Sequence, residues 1–598
     1  MKVVKAPPKE DCPHYQFGPF RINSEERTLL LDGTLVPLVP KSFDVLFILV
    51  TNSGQLLNKE FLLSSVWPDT IVAENSLTRA IADIRRALGE GPKENRFIAT
   101  VARRGYRFVA QVRSSAPTVE SAVRVPSPAL VTDAGVTALA VLPFAWLTRG
   151  GMDGSLVVGL ADALITRLSN LTQIVVRPTS SILRYVDGDR DPVAIAGELS
   201  VDFVVSGSLQ QAGEQVRVTV QMVSPTEQRS VWADRFEETF TNIFLLEDSI
   251  SARIAAALAL KLSSAEQKSL VARDTSNNDA YQLYLRGRYF WSKQTLATAK
   301  KAISYFQQAL DLDANYARAW AGVADAYVLI GITGALTGGL LPHNLYPRAK
   351  RAALAAIDLN ANLADAHSSL GFIQFFYDWN AASAQDSLNQ ALTLQPRYAS
   401  AHHGQALVAG FSGRSDEALL WIESALEIEP LSLILNANKG YLLYLAGEFD
   451  RAIAHLTKTL EIDPSFGAIH YRLGLAYQAK GASEEAIRHF KQAQQFSRNS
   501  PHTLGALGHV LACTGDKAAA REIRRQLNDL AETQYVASTV MAEVMTGLGE
   551  YYEALGWLKK ALDERVAALM TFRVDPRFEQ LRMEPGCRLI LGHLPKCS

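Results

Sequence analysis

The chain has 598 residues, with 60 Lys and Arg against 61 Asp and Glu, a formal net charge of -1, and 48% hydrophobic against 20% charged residues. That length predicts three to five domains at about 100–200 residues each. The composition is globular and excludes polyanion binding spread over the whole chain, so any basic footprint must be local. Cys12, Cys513, Cys587 and Cys597 fit no zinc or CxxC spacing and are too few for a disulfide framework, which suits a reduced, cytoplasmic setting. The opening "MKVVKAPPKEDCPHY" has no signal-peptide core. No apolar run reaches the roughly 18 residues of a membrane helix, so a soluble chain with no membrane contact is expected.

Residues 15–39, "YQFGPFRIN" and "TLLLDGTLVPL" among them, alternate apolar and polar positions between turn residues and predict a small antiparallel sheet. "PKSFDVLFILVTNSG" places Phe43, Leu46, Phe47 and Val50 on one helix stripe, ended by Asn52-Ser53-Gly54. "NKEFLLSSVWP" predicts a second helix, capped by Asn58 and stopped by Pro68. After a loop comes "NSLTRAIADIRRALG". At about 100° per residue its Leu77, Ile81, Ile84 and Leu88 share one face, turned to the core. Asn75, Arg79, Ala82, Asp83 and Arg86 lie opposite, with Ser76, Thr78 and Arg85 on the flanks. A face without bulky apolar groups suits a major groove, where Arg and Asn can pair bidentately with base edges.

"RFIATVARRGYRFVAQV" then reads as a hairpin whose tip is Arg103-Arg104-Gly105, with the glycine available for a positive φ. Residues 75–113 hold nine Lys and Arg against three acids, a net of +6. A hairpin with two arginines at its tip, beside a polar helix, is a wing that can reach the sugar-phosphate edge or minor groove.

In this order, "LVPKSFDVLFILVTNSGQLLNKEFLLSSVWPD", "ENSLTRAIADIRRALG" and "RFIATVARRGYRF" resemble the OmpR/PhoB-type winged-helix effector domain, in the version of CadC-like regulators. The resemblance covers about residues 14–112. It implies that the 75–88 helix reads bases of double-stranded DNA and that Thr100, Arg103, Arg104 and Tyr106 touch backbone or minor groove. It also implies a loop at 68–75 facing RNA polymerase, and a possible homodimer on tandem half-sites. Ala82 and Asp83 stand where many response regulators place arginines, so base preference does not carry over. No phospho-accepting receiver domain is expected before the winged helix, and no membrane helix after it.

Residues 114–135, "SSAPTVESAVRVPSPALVTDAG", read as a linker between the 14–113 domain and an α/β domain at 136–262. In the latter, "TALAVLPFAWL" and "QIVVRPT" are strands, and "GSLVVGLADALITRLSNL", "DPVAIAGELS" and "IFLLEDSISARIAAALALKL" are helices. "VDFVVSGSLQQAGEQVRVTVQMVSPTEQRSVWADRF" is a set of strands with an "AGEQ" turn. The segment resembles the TolB-N-terminal-like (FlgO-like) domain, which implies no chemistry. Asp187, Asp189, Asp191 and Glu198 have calcium-loop spacing, but Pro192 stands where that loop needs glycine, so a polar turn into a helix is expected and no metal.

From 278 to 598 a 34-residue period governs the chain. Gly413, Gly447, Gly481, Gly515 and Gly549 recur at that interval, as do Ala418, Ala452, Ala486, Ala520 and Ala554. This is the tetratricopeptide period, about eight helix hairpins in an all-α superhelix whose concave face binds partner proteins. "GALTGGLLPHNLYP" reads as an insertion between repeats, and His343, His402 and His403 as ordinary surface. No phosphate loop, dinucleotide motif, HExxH or GxSxG is present, so neither a cofactor nor enzymatic activity is expected. The expected protein is a multidomain α+β transcriptional regulator: a winged helix on promoter DNA, a central α/β domain, and repeats that recruit partners or sense a signal. The alternative is an interaction scaffold whose winged helix only docks.

Overall fold

The computed structural model describes residues 14–23, 28–31, 34–36, 38–54, 56–66, 74–91, 96–101, 104–110, 113–115, 137–147, 155–171, 173–186, 191–212, 215–239, 243–258, 260, 262, 266, 275–337, 341–497 and 500–594. They fall into two compact units, Met1–Ala129 and Leu130–Ser598.

In the first unit, β1 (His14–Phe17), β2 (Phe20–Asn23), β3 (Thr28–Leu31) and β4 (Thr34–Val36) form the expected antiparallel meander. β8 (Arg113–Ser115) returns to pair with β1, so Ser114 and Ser115, expected in the linker, belong to this sheet. Helices α1 (Pro40–Thr51), α2 (Lys59–Val66) and α3 (Glu74–Ala87) follow. Asn58 caps α2 by accepting from the Phe61 amide at 2.7 Å, and Lys41 donates to the Val66 carbonyl at its far end at 2.7 Å; both close backbone groups a helix terminus leaves open. Val45 and Leu49 are buried along with Phe43, Leu46 and Val50, so α1 is apolar over more than one stripe. A second sheet of order β5-β7-β6 joins Leu56–Asn58 to the hairpin of β6 (Ile98–Val101) and β7 (Gly105–Phe108).

In the second unit, β9 (Thr137–Val141) pairs in parallel with β11 (Ile174–Val176) and β12 (Phe203–Ala212), and β10 (Ala145–Trp146) also pairs with β12. β13 (Gln215–Ser224) and β14 (Arg229–Thr239) extend the sheet antiparallel. The helices are α4 (Ser155–Leu168), α5 (Thr179–Ile182), α6 (Pro192–Leu199) and α7 (Ile243–Ala257). Asp191 caps α6 by accepting from Val193 N, with Pro192 in the first turn, and Glu198 accepts from the Tyr185 hydroxyl. Those two are therefore engaged as helix chemistry; Asp187 and Asp189 lie outside the described residues. No group of three or more metal-ligating side chains occurs among the described residues, and no helix among them is long and apolar enough to cross a membrane.

The described residues from Asn278 to Asp563 form eight helix pairs. The five periodic glycines all take the left-handed conformation, φ 77° to 95°, just past the first helix of a pair. At Gly447, for example, the Glu448 amide reaches back to the Leu443 carbonyl, a Schellman closure. The periodic alanines are fully buried. A Cβ on Gly440 would sit 2.3 Å from Leu456, which explains the small residue seven positions before each turn glycine. The insertion differs from expectation: it lies between the two helices of the second pair, lengthening the first to Ala317–Thr337 and starting the second at Pro342.

The array also meets itself. Trp379, 34 residues before Gly413, takes φ +56° where later repeats use glycine, and the Arg565 guanidinium lies 5.2 Å over its ring. Arg565 donates to the Tyr377 carbonyl at 2.8 Å, and His343 Nε2 contacts the Asp563 carbonyl at 2.7 Å. The second and third repeats thus touch the end of the eighth.

The middle domain, expected as a separate region, packs on the repeats within this unit. Asp162 on α4 accepts from Arg288 of the first repeat at 2.9 and 3.1 Å. Arg177 donates to Leu199 and Ser200 carbonyls on its own side and to Glu427 and Ile428 carbonyls of the fourth repeat, all within 2.7–2.9 Å. One guanidinium therefore satisfies the open C-terminal carbonyls of two helices, one from each domain.

Candidate nucleic-acid interface

α3 divides as its spacing requires. Leu77, Ile81, Ile84 and Leu88 are 1%, 2%, 0% and 1% exposed and join the core with Phe97, Ile98 and Phe108. Thr78, Arg79, Ala82 and Arg86 are exposed; Ser76 and Asp83 are half-buried. Asp83 engages Arg86 at 3.2 Å, one turn along the helix, and the Arg86 side chain remains 80% exposed. The Asn75 side chain lies outside what is described.

The wing is built on a constrained turn. Arg104 N donates to the Val101 carbonyl at 3.0 Å, and Gly105 follows with φ +145°. A Cβ there would stand 1.9 Å from the Leu57 carbonyl oxygen, so only glycine lets β7 close on β5. Arg104, Arg107 and Thr100 are exposed. Arg103 and the 68–73 loop lie outside the described residues. Tyr106, expected at the DNA backbone, is instead 6% exposed and part of the core. The strand alternation explains this correction: Tyr106 and Phe108 share the inward face, leaving Arg107 outward.

Two residues tie helix to wing in ways spacing alone did not reveal. Arg85, assigned to a flank, donates to the Ile98 carbonyl at 2.8 Å and the Thr100 hydroxyl at 3.0 Å. Glu90, counted only as an acid within the basic stretch, is 5% exposed and accepts from the Phe97 amide at 3.0 Å and the Ile98 amide at 3.2 Å. The one available signal was Glu90 standing between glycines just past the helix. Burying Glu90 takes one acid off the outer face, leaving it more cationic than the net count implied. Arg96 lies 4.6 Å over the Phe97 ring, fixing another exposed guanidinium at the wing's base.

The family model for "Transcriptional regulatory protein, C terminal" matches residues 33–108, the span of β4 to β7 just described. The N-terminal unit is an OmpR/PhoB-type DNA-binding domain. A "HilA/YgeH-like transcriptional regulator, second domain" model matches residues 135–253, the segment expected to be TolB-N-terminal-like; the match is to the HilA/YgeH-like model instead. Tetratricopeptide models match 440–481 and 468–500. The chain is 25% identical over 437 residues to Transcriptional regulator HilA of Salmonella typhimurium strain LT2, covering 72% of this chain and 73% of that one. It is 27% identical over 234 residues to Putative adenylate cyclase 3 of Rhizobium meliloti strain 1021, 39% of each chain. Among solved structures, the DNA-binding domain of Escherichia coli CadC is 26% identical, covering 17% of this chain and 96% of that one, with a TM-score of 0.16. The protein is a DNA-binding transcriptional regulator.

The histidines singled out in the sequence are not surface groups in every case. His403 is buried and meets Asn438 Nδ2 at 2.7 Å, while His402 Nε2 faces the Pro396 carbonyl at 2.9 Å. Both act as local packing and hydrogen-bonding groups of the repeats.

Proposed function

We propose that the OmpR/PhoB-type domain lays α3 in the major groove of promoter DNA and the wing against the adjoining backbone or minor groove. Arg79 and Arg86, with Thr78, Ala82 and Asp83, face base edges, as Asn75 and Ser76 do at the start of the helix. Arg103, Arg104 and Thr100 serve the backbone. The observation that carries this reading is the division of α3 into a fully buried apolar face and an exposed face of arginine and small residues, braced to the wing by Arg85 and Glu90. Tyr106 supports the wing from within.

On this reading Arg85 sets the angle between helix and wing, because its Nη2 already donates to both Ile98 and Thr100 before any DNA arrives. Contact of the 68–75 loop with RNA polymerase and homodimers on tandem half-sites extend the same proposal, as does recruitment of partner proteins by the repeats. Selection of bound fragments from random duplex DNA by the full chain, followed by sequencing and anisotropy titration, tests it. Arg79→Ala is expected to change the selected sequence, each good bidentate pair discriminating by about 1–3 kcal/mol. Fragments selected without any sequence preference would leave the scaffold reading in possession.

A further inference from the structure

The inner face of the repeats is already partly covered. α4 lies on the first repeat through the Asp162–Arg288 pair, and Ser180 donates to Glu429 at 3.1 Å beside the Arg177 staple. Between these middle-domain residues and the inner helices of the repeats remains a cavity of about 910 Å³. That falls within the roughly 300–1,000 Å³ of small-molecule sites. A folded partner would have to displace the middle domain to enter; a small molecule would not.

The polar groups of the wall are unequal. Asp162 is paired with Arg288, Glu429 accepts from Ser180, and Asp325 accepts from Ser369. Arg472, on the sixth repeat, differs. Its Nη1 is shut off from solvent and has no hydrogen-bond partner among the described residues. Its guanidinium lies 5.1 Å over the Tyr441 ring, and burial pulls its pKa down to about 10. Nearby, burial first and the Arg472 charge second hold His403 down at about 3, so that ring stays neutral and supplies no competing charge. Arg472 stands 34 residues after Asn438, which holds His403, so the three come from successive repeats. Phe372, Tyr398, Phe466 and Phe496 supply aromatic wall.

We propose that this cavity binds a small molecule with an apolar or aromatic body and one oxyanion, carboxylate or phosphate, with Arg472 receiving the oxyanion. A buried guanidinium without a carboxylate costs stability, and its planar fork matches an oxyanion bidentately. The ligand returns the missing partner, and its apolar body covers the aromatic wall. The site is independent of the DNA-reading face, so it is tested without DNA.

The probe is 8-anilinonaphthalene-1-sulfonate, followed by fluorescence on the full chain and competed with 1-naphthoate, 1-naphthyl phosphate and uncharged 1-naphthamide. At least one anion is expected to displace the dye at about tenfold lower concentration than the amide, as a charge-assisted hydrogen bond provides. Whichever anion is stronger identifies the oxyanion. Arg472→Met is expected to abolish that discrimination while raising the melting temperature of the unliganded chain. Equal displacement by the amide, or discrimination that survives Arg472→Met, overturns the proposal. Should Arg472→Met fail to fold, Ala468→Trp, which narrows the same cavity, is expected to weaken dye binding at least tenfold; unchanged binding overturns the proposal equally.

Discussion

The arginines of the two units have opposite fates. In the first unit Arg79, Arg86, Arg104 and Arg107 stand in solvent on one helix and one wing. In the second, Arg177, Arg288 and Arg577 are spent inside, on helix carbonyls and buried carboxylates. One side-chain type therefore faces solvent in one place and forms an inward joint in the other. What decides is whether the fold itself supplies the acceptors. Along α3 and the wing, Glu90 is turned inward to backbone amides, and Asp83 meets Arg86 while leaving that side chain 80% exposed.

This contrast can be broken most severely at Arg577. It pairs with Asp575 at 2.6 Å and with Glu543, whose side chains are 0% and 5% exposed, while Tyr444 donates to Asp575 at 2.7 Å. Arg577→Met leaves two buried carboxylates facing each other, and a loss of about 3–5 kcal/mol is expected in urea unfolding of the repeat unit. Gly105→Ala comes next, at about 2–3 kcal/mol, since its methyl meets the Leu57 oxygen in a backbone region side chains avoid. The wing should be displaced and DNA affinity should fall with stability, measured by anisotropy and thermal melting together.

Arg177→Met removes donors from four carbonyls and is expected to cost about 1–3 kcal/mol. Amide exchange should rise at both 199–201 and 427–431; a rise on one side alone would show that the guanidinium does not join the domains. A smaller effect is expected at Glu247, which accepts from Tyr281 at 2.5–2.6 Å and pairs with Arg167, with Asp248 alongside. Burial raises its pKa from 4.5 to about 7, against the opposing pull of Arg167. The protonated form is the one the fold favours. Its contribution is therefore complete below about pH 4.5 and is lost as pH rises through about 7. Glu247→Gln should flatten the fall in urea midpoint between pH 5 and pH 8.

The mildest change sharpens the comparison from the other side. Arg104→Ala should leave stability within about 0.5 kcal/mol. It should weaken DNA binding alike for all sequences and lower the salt slope by about 1. A sequence-dependent loss would move Arg104 from backbone to base contact.

Much of the candidate interface was legible because its signals are local. Residues 77, 81, 84 and 88 return to one helix face by geometry alone, and the hairpin needed only its apolar runs and its glycine. The family resemblance sets Tyr106 at the DNA backbone, whereas strand register turns it to the same inward face as Phe108. Arg85 and Glu90 were missed because their partners sit on another element, at 97–100, and nothing in their spacing names those backbone groups.

By itself the sequence determined the repeat: a 34-residue period of turn glycine and contact alanine is a statement about neighbouring turns, and each unit carries it whole. It also determined the amphipathic α3 and the wing, whose geometry depends on residues a few positions apart. Only the tertiary structure decided that the middle domain lies on the repeats, that Trp379 meets Arg565 across the array, and that Arg472 Nη1 is buried with no acceptor among the described residues. The first two depend on groups brought together from 126 to 250 residues apart, as Arg288 is to Asp162 and Arg177 to Glu427. Chain packing sets such distances, and periodicity carries no record of them.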